Sequence, residues 1–175
     1  MRKLKNEELN RPEPQQALKE HKIPVSVVLD NVRSALNVGS VFRTCDAFGI
    51  EKLWLTGITA CPPDREIQKT ALGATLSVPW EYRKDTMEIV RELRDGGAEI
   101  IIVEQTTASV LLQDYSFSSQ KKTVLVFGHE VNGVSEEILG LSHGAIEIPQ
   151  SGAKHSLNIA VCAGITLWEA YRKLR

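Results

Sequence analysis

The stretch Ile146-Glu147-Ile148-Pro149-Gln150-Ser151-Gly152-Ala153-Lys154-His155-Ser156-Leu157-Asn158-Ile159-Ala160-Val161 passes from a β-branched run through a proline and a glycine loop into a helical pattern that ends near Arg175. Proline cannot donate to a strand ladder and glycine permits positive φ, so the chain must turn sharply between them and leave backbone amides and carbonyls exposed. Exposed backbone at a strand's end is where ligands sit in open α/β sheets.

Outward from that stretch, compact apolar runs alternate with helical stripes. Val25 to Leu29, Leu53 to Leu55, Ile100 to Val103, Val124 to Phe127 and Ile146 to Ile148 are short and bounded by polar residues or glycine, as buried parallel strands are. Thr75 to Tyr82 reads as a weaker strand, at an edge because Pro79 interrupts it. Helical spacing joins Val38, Val41, Phe42, Cys45 and Phe48, then Ile67, Ala71 and Leu72, then Met87, Val90 and Leu93 before Gly96-Gly97 stops the pattern. Ser135 to Leu141 predicts a short helix. Ser156 to Leu174 predicts a long one, with Ile159, Cys162, Ala163, Thr166, Leu167 and Ala170 on one side. Such alternation defines an α/β class, a mostly parallel sheet with helices on both faces.

The 175 residues suffice for one domain, with residues 1–22 as a charged arm broken by Pro12 and Pro14. With 21 basic and 22 acidic residues the net charge is −1, so any nucleic-acid binding has to rest on a local patch. Cys45, Cys61 and Cys162 lack ligand spacing, which supports neither a disulfide framework nor a metal site. No apolar run reaches the roughly 18 residues of a membrane helix. The expectation is a cytoplasmic protein that neither spans a membrane nor is exported.

G-x-G-x-x-G after a strand and G-x-x-x-x-G-K-[ST] are both absent. Three segments carry candidate chemistry instead. In the first, Asn37 is placed to cap a helix, Gly39 lets a group approach its first turn, and Arg43 follows one to two turns on. This is either a capped helix with a solvated arginine or a phosphate site built from a helix N-terminus and a guanidinium. In the second, Phe127-Gly128-His129-Glu130-Val131-Asn132-Gly133-Val134-Ser135, two glycines bracket a carboxylate at a strand end. His129 is read as a hydrogen-bonded turn residue and Ser135 as the cap of the next helix. The third is the stretch quoted first, with Ser156 as a cap and Asn158 in the first turn.

In this order and at these spacings, the segments resemble the SpoU/TrmH-type family of the SPOUT superfamily, S-adenosylmethionine-dependent RNA 2′-O-ribose methyltransferases. N-x-G-x-x-x-R is matched by Asn37, Gly39 and Arg43, and G-x-E-x-x-G by Gly128, Glu130 and Gly133. I-P-x-x-G-x-x-x-S-L-N is matched by Ile148, Pro149, Gly152, Ser156, Leu157 and Asn158, with Gln150 standing where many relatives carry methionine. The resemblance spans roughly residues 23–175. It implies a SPOUT α/β knot, in which the C-terminal part passes through a loop to form a trefoil, an exception to the usual rule against threading.

It further implies S-adenosyl-L-methionine as cofactor, bound by Phe127, Gly128, Gly133, Ile148, Gly152 and Leu157, with Gln105 and Thr106 as a further wall. Arg43 resembles the family's catalytic arginine, a poor base by itself that pairs with the nucleotide phosphate and orients the 2′-hydroxyl. Asn37, Glu130, Ser156 and Asn158 match positions that order this site. The implied partners are RNA, transfer RNA before ribosomal RNA, and a second copy in a homodimer that uses the long C-terminal helix. A catalytically retired RNA-binding module is the alternative of another class. RNA contacts are expected from Arg2, Lys3, Lys5, Arg11, Lys19 and Lys22 of the arm and from Arg65 with Lys69, Lys121-Lys122 and Lys154-His155.

Overall fold

The computed structural model describes residues 1–18 and 22–175, so Lys19 of the arm lies outside the described residues. Its strands are β1 (Ile23–Asp30), β2 (Ile50–Thr56), β3 (Trp80–Arg83), β4 (Glu99–Val103), β5 (Val110–Leu111), β6 (Thr123–Phe127) and β7 (Gly144–Glu147). They form one sheet in the order β3-β2-β1-β6-β4-β7-β5, with every named pair parallel. The helices are α1 (Pro14–Ala17), α2 (Ala35–Phe48), α3 (Arg65–Ala71), α4 (Thr86–Asp95), α5 (Glu136–Leu141) and α6 (Ile159–Leu174).

Strand side chains alternate between two apolar cores. Val25, Val27, Leu29, Leu53, Leu55, Ile101, Leu125, Phe127 and Ile146 pack with residues of α2, α3 and α6. Val28, Trp54, Ile100, Ile102, Val124, Val126 and Ala145 pack on the opposite face with residues of α4 and α5. Two-sided burial explains why these strands read as continuous apolar runs, and it makes the molecule a three-layer sandwich. Among the described residues no helix is long and apolar enough to cross a membrane.

Several expected boundaries move for local reasons. The run from Thr75 to Tyr82 is not one strand: a 3-10 turn at Ala74–Leu76 comes first, and β3 begins only at Trp80, after Pro79, on the sheet edge. Leu72 leaves the α3 stripe because it closes the helix in the left-handed conformation with φ 48° and stays exposed. Strand β7 ends at Glu147, so Ile148 belongs to the loop. Asn37 does not cap α2. Ser34 does, its hydroxyl accepting from the Asn37 backbone N–H at 3.3 Å. Likewise α6 starts at Ile159 rather than Ser156, because the Asn158 side chain takes the cap, accepting from the N–H groups of Ala160 at 2.9 Å and Val161 at 3.4 Å. The short β5 leaves no signal in the sequence because two residues carry no period.

Within the arm, α1 lies against the Ala74–Leu76 turn and buries Ala17, while Arg2 pairs with Glu8 at 2.6 Å.

Candidate active site

Strands β6, β4 and β7 are neighbours, and the segments leaving their carboxyl ends enclose a cavity of ≈ 610 Å³. Val103, Glu104 and Gln105 line it after β4, and Phe127 to Gly133 after β6. Ile146 to Ile148 and Gln150 line it at the end of β7, and His155 to Ile159 with Cys162 where α6 begins. The volume and the mix of apolar floor with polar rim are those of a small-molecule site.

Its rim after β6 is a closed backbone loop. His129 N–H donates to the Gly133 carbonyl at 3.1 Å and Gly133 N–H to the His129 carbonyl at 2.9 Å. The His129 Nδ1 accepts from the N–H groups of Val131 at 3.0 Å and Asn132 at 3.2 Å, so its ring builds the turn, as expected. Glycine is required twice. A Cβ on Gly128 would strike the Gly133 carbonyl group and the Val134 nitrogen, and Gly133 sits at φ 67° with Glu104 Oε2 filling the place a side chain would take, 2.5 Å from that Cβ position.

Residues of all three motifs meet beside the cavity. The Glu130 carboxylate accepts from the N–H of Arg33 at 3.0 Å and of Ser34 at 3.2 Å, where α2 begins. Burial works to raise its pKa, but it is outweighed by hydrogen bonds from the backbone N–H of Arg33, its own N–H, that of Ser34 and the Asn37 side chain, so the net shift is downward. Asn158 Nδ2 donates to Asn37 Oδ1 at 3.2 Å, tying the start of α6 to the first turn of α2. Asn37, Glu130 and Asn158 thereby form one polar junction, with Ser156 and Leu157 on the lining next to it.

Other expected residues fall elsewhere. Thr106 stays off the lining and accepts from the Ala108 N–H at 3.2 Å, whereas its neighbour Gln105 lines the cavity and donates from Nε2 to the His155 carbonyl at 3.1 Å. Gly152 is exposed, off the lining, with open space around its Cβ position. Gly39 is approached by α3, not by a ligand: a Cβ there would meet Thr70 Oγ1 and the Ile67 carbonyl oxygen.

Arg43 is exposed and lines a second cavity of ≈ 570 Å³ with Ser40, Thr44, Ala47, Phe48, Lys69, Thr70, Leu72 and Gly164. Leu72, 67% exposed, lines it too, and α6, which contributes Gly164 to the lining, carries the exposed apolar side chains Val161 at 52%, Trp168 at 50% and Ile165 at 40%.

Glu104, Glu147 and Cys162 line the first cavity but carry no motif signal in the sequence; the position of Glu104 directly after a strand is the only hint. Burial pushes the Cys162 thiol up to about 11, against a lowering hydrogen bond with Thr166, and the nearby Glu104 charge adds to the rise. A thiol so held is no nucleophile at neutral pH. Among the described residues no group of side chains is arranged to hold a metal.

A parallel sheet with a ligand cavity over its carboxyl ends, closed by glycine loops instead of a Rossmann fingerprint, defines the class. The model of the SpoU rRNA Methylase family matches residues 24–168, and the chain belongs to that family. It is 31% identical over 166 residues to the tRNA (guanosine(18)-2′-O)-methyltransferase of Thermus thermophilus, covering 95% of this chain and 84% of that one. It is 29% identical over 150 residues to an uncharacterized tRNA/rRNA methyltransferase of Synechocystis, covering 85% of this chain and 53% of the relative. The AdoMet-bound rRNA methyltransferase from Sinorhizobium meliloti superposes with a TM-score of 0.81 at 30% identity, over 91% of this chain and 60% of that one. The chain thus spans little more than half the length of some of its relatives.

Proposed function

We propose that this protein transfers a methyl group from S-adenosyl-L-methionine to a ribose 2′-hydroxyl of RNA, with cytoplasmic tRNA as first substrate. The convergence of Asn37, Glu130 and Asn158 beside the glycine-walled cavity carries the reading, since three separate motifs have no structural need to meet there. The cavity fits the cofactor: its volume accommodates a nucleoside with an amino-acid tail, Gly128 and Gly133 line it without side chains, and Phe127, Ile148 and Leu157 supply apolar wall. When bound, the cofactor would supply an electrophilic methyl on a positively charged sulfur, with a neutral thioether as the leaving group in a one-step displacement by the ribose oxygen. Arg43 orients the nucleotide through its phosphate by a planar, bidentate fork, and the hydroxyl proton departs along that phosphate to solvent. Glu130, Asn37 and Asn158 hold α2 and α6 in place about the ribose.

Arg43 lies outside the cofactor cavity, among exposed apolar side chains. We infer a homodimer in which the face formed by α2 and α6 is covered and Arg43 serves the cavity of the partner subunit. The C-terminal trefoil knot belongs to the same reading. Ribosomal RNA is the alternative substrate, favoured by the neutral net charge no less than tRNA and carried by the likeness to the Sinorhizobium protein. Incubating the protein with labelled cofactor and total RNA, then mapping the labelled nucleotide, tests the reading. Label on a ribose of tRNA supports it, label on rRNA selects the alternative, and cofactor binding without transfer marks a retired RNA-binding module.

A further inference from the structure

The cofactor cavity is acidic. Its lining holds three glutamates, Glu104, Glu130 and Glu147, two histidines and, among the described residues, no lysine or arginine. Glu130 is engaged with the backbone of Arg33 and Ser34. Glu104 is differently placed. It stands at the carboxyl end of β4, its Oε1 accepts from the Gln105 N–H at 2.9 Å, and its Oε2 lies over Gly133 with no hydrogen-bond partner in the described residues. It also faces the α6 side, close enough to Cys162 for its charge to oppose thiol ionisation. A half-buried carboxylate with a free oxygen, in a cavity with no compensating cation, favours a cationic occupant.

S-adenosyl-L-methionine and its demethylated product differ by one charge. The sulfonium is cationic and the thioether is neutral, while the purine, ribose, ammonium and carboxylate are common to both. We propose that Glu104 is the residue by which this cavity discriminates the charged cofactor from the neutral product, holding the first and releasing the second. The inference rests on the cofactor reading above. Glu147, the other lining carboxylate without a hydrogen-bonded side chain, acts in the same direction from the end of β7.

Calorimetric titration of the full chain with three probes tests this: S-adenosylmethionine, S-adenosylhomocysteine, and sinefungin, which carries an ammonium where the cofactor has its sulfonium. Glu104→Gln removes the charge and keeps the shape. The expected result is a loss of about tenfold in affinity for S-adenosylmethionine and sinefungin, with S-adenosylhomocysteine affinity changed less than about twofold, as removing one partly screened charge interaction predicts. Retained product binding doubles as proof that the variant is folded. Equal loss for all three probes would mean that Glu104 binds the shared ammonium or ribose, and would overturn the proposal, as would no loss for any. Should the wild-type protein bind none of the three, the cofactor reading itself falls and this inference with it. If Glu104→Gln unfolds, Glu104→Asp, which keeps the charge and withdraws it by one methylene, is read the same way: a loss confined to the two charged probes supports the proposal, and an equal loss for all three or none for any overturns it.

Discussion

The two cavities are nearly equal in volume and opposite in construction. The one above β4, β6 and β7 has its walls from a single chain: its loop closes on itself, its carboxylate Glu130 is held by backbone N–H groups, and its floor is buried. The one beside α2 and α6 presents a bare guanidinium, Arg43, among apolar side chains that water still reaches. The two look different in these terms: one closes its backbone loop and holds Glu130 by hydrogen bonds, the other exposes hydrophobic surface.

Removing Arg43 gives the largest expected effect. Arg43→Ala should lower methyl transfer by on the order of 10²-fold or more while cofactor affinity stays within about twofold, because the proposed role of the arginine is to orient the nucleotide and it lies off the lining of the first cavity. Arg43→Lys should fail as well, since a point charge cannot replace the fork. Single-turnover assays with parallel calorimetry check both.

Breaking the apolar face comes next. Ile165→Asp should convert the proposed dimer to monomer at micromolar concentration, a weakening of about 100-fold from losing roughly 2–3 kcal/mol of burial across the proposed symmetric interface. Light scattering reads the mass, and calorimetry should show the cofactor still bound by the monomer.

A smaller effect sharpens the picture of the junction. Glu130→Gln should reduce stability by about 1 kcal/mol, discounted for the exposure of the side chain, a fall of about 2–4 °C in Tm. Because the folded-state pKa of Glu130 is lowered, its contribution is present above the ordinary carboxylate pKa and lost as pH falls through the depressed value. The wild-type and variant melting curves should therefore converge under acid and separate towards neutrality.

The smallest effect belongs to the arm. Deleting residues 1–22 should leave the melting of the core nearly unchanged and lower the salt slope of RNA affinity, by about 0.7 for each phosphate of single-stranded RNA that the arm neutralises. Filter binding at several salt concentrations measures it. An unchanged slope with a smaller oligomeric mass would assign the arm to dimer packing instead.

How far the molecule is legible from its sequence also divides between the cavities. Residues on β1, β2, β4 and β6 are legible because burial on both faces makes a strand a continuous apolar run. Glu130, Gly128 and Gly133 are legible because a tight βα loop needs glycine and aims the residue between. The caps fall two or three residues away from where the sequence points. Ser34 and Asn158 hold the backbone N–H groups, and nothing in the spacing distinguishes them from Asn37 and Ser156, which are also good capping residues. Gly39 reads as room for a ligand, yet the approaching body is α3, an approach between elements far apart in sequence that no local pattern encodes. Glu104 is hinted at only by its place after a strand, for the same reason: its meaning depends on Gly133 and Cys162, which only the fold brings beside it.

The central claim, that Arg43 of one subunit completes the cavity of the other, is tested most directly by mixing two inactive proteins. One is Arg43→Ala; the other is Leu157→Trp, which fills the cofactor cavity and is used once calorimetry shows that it binds no cofactor. After subunit exchange at equal concentration, half the dimers are mixed and each mixed dimer has one complete site. Methyl transfer should then return to about a quarter of the wild-type rate, as two-fold symmetry requires. Mixtures as inactive as the parents, with exchange verified by mass, would mean that Arg43 serves its own chain and would contradict the shared site.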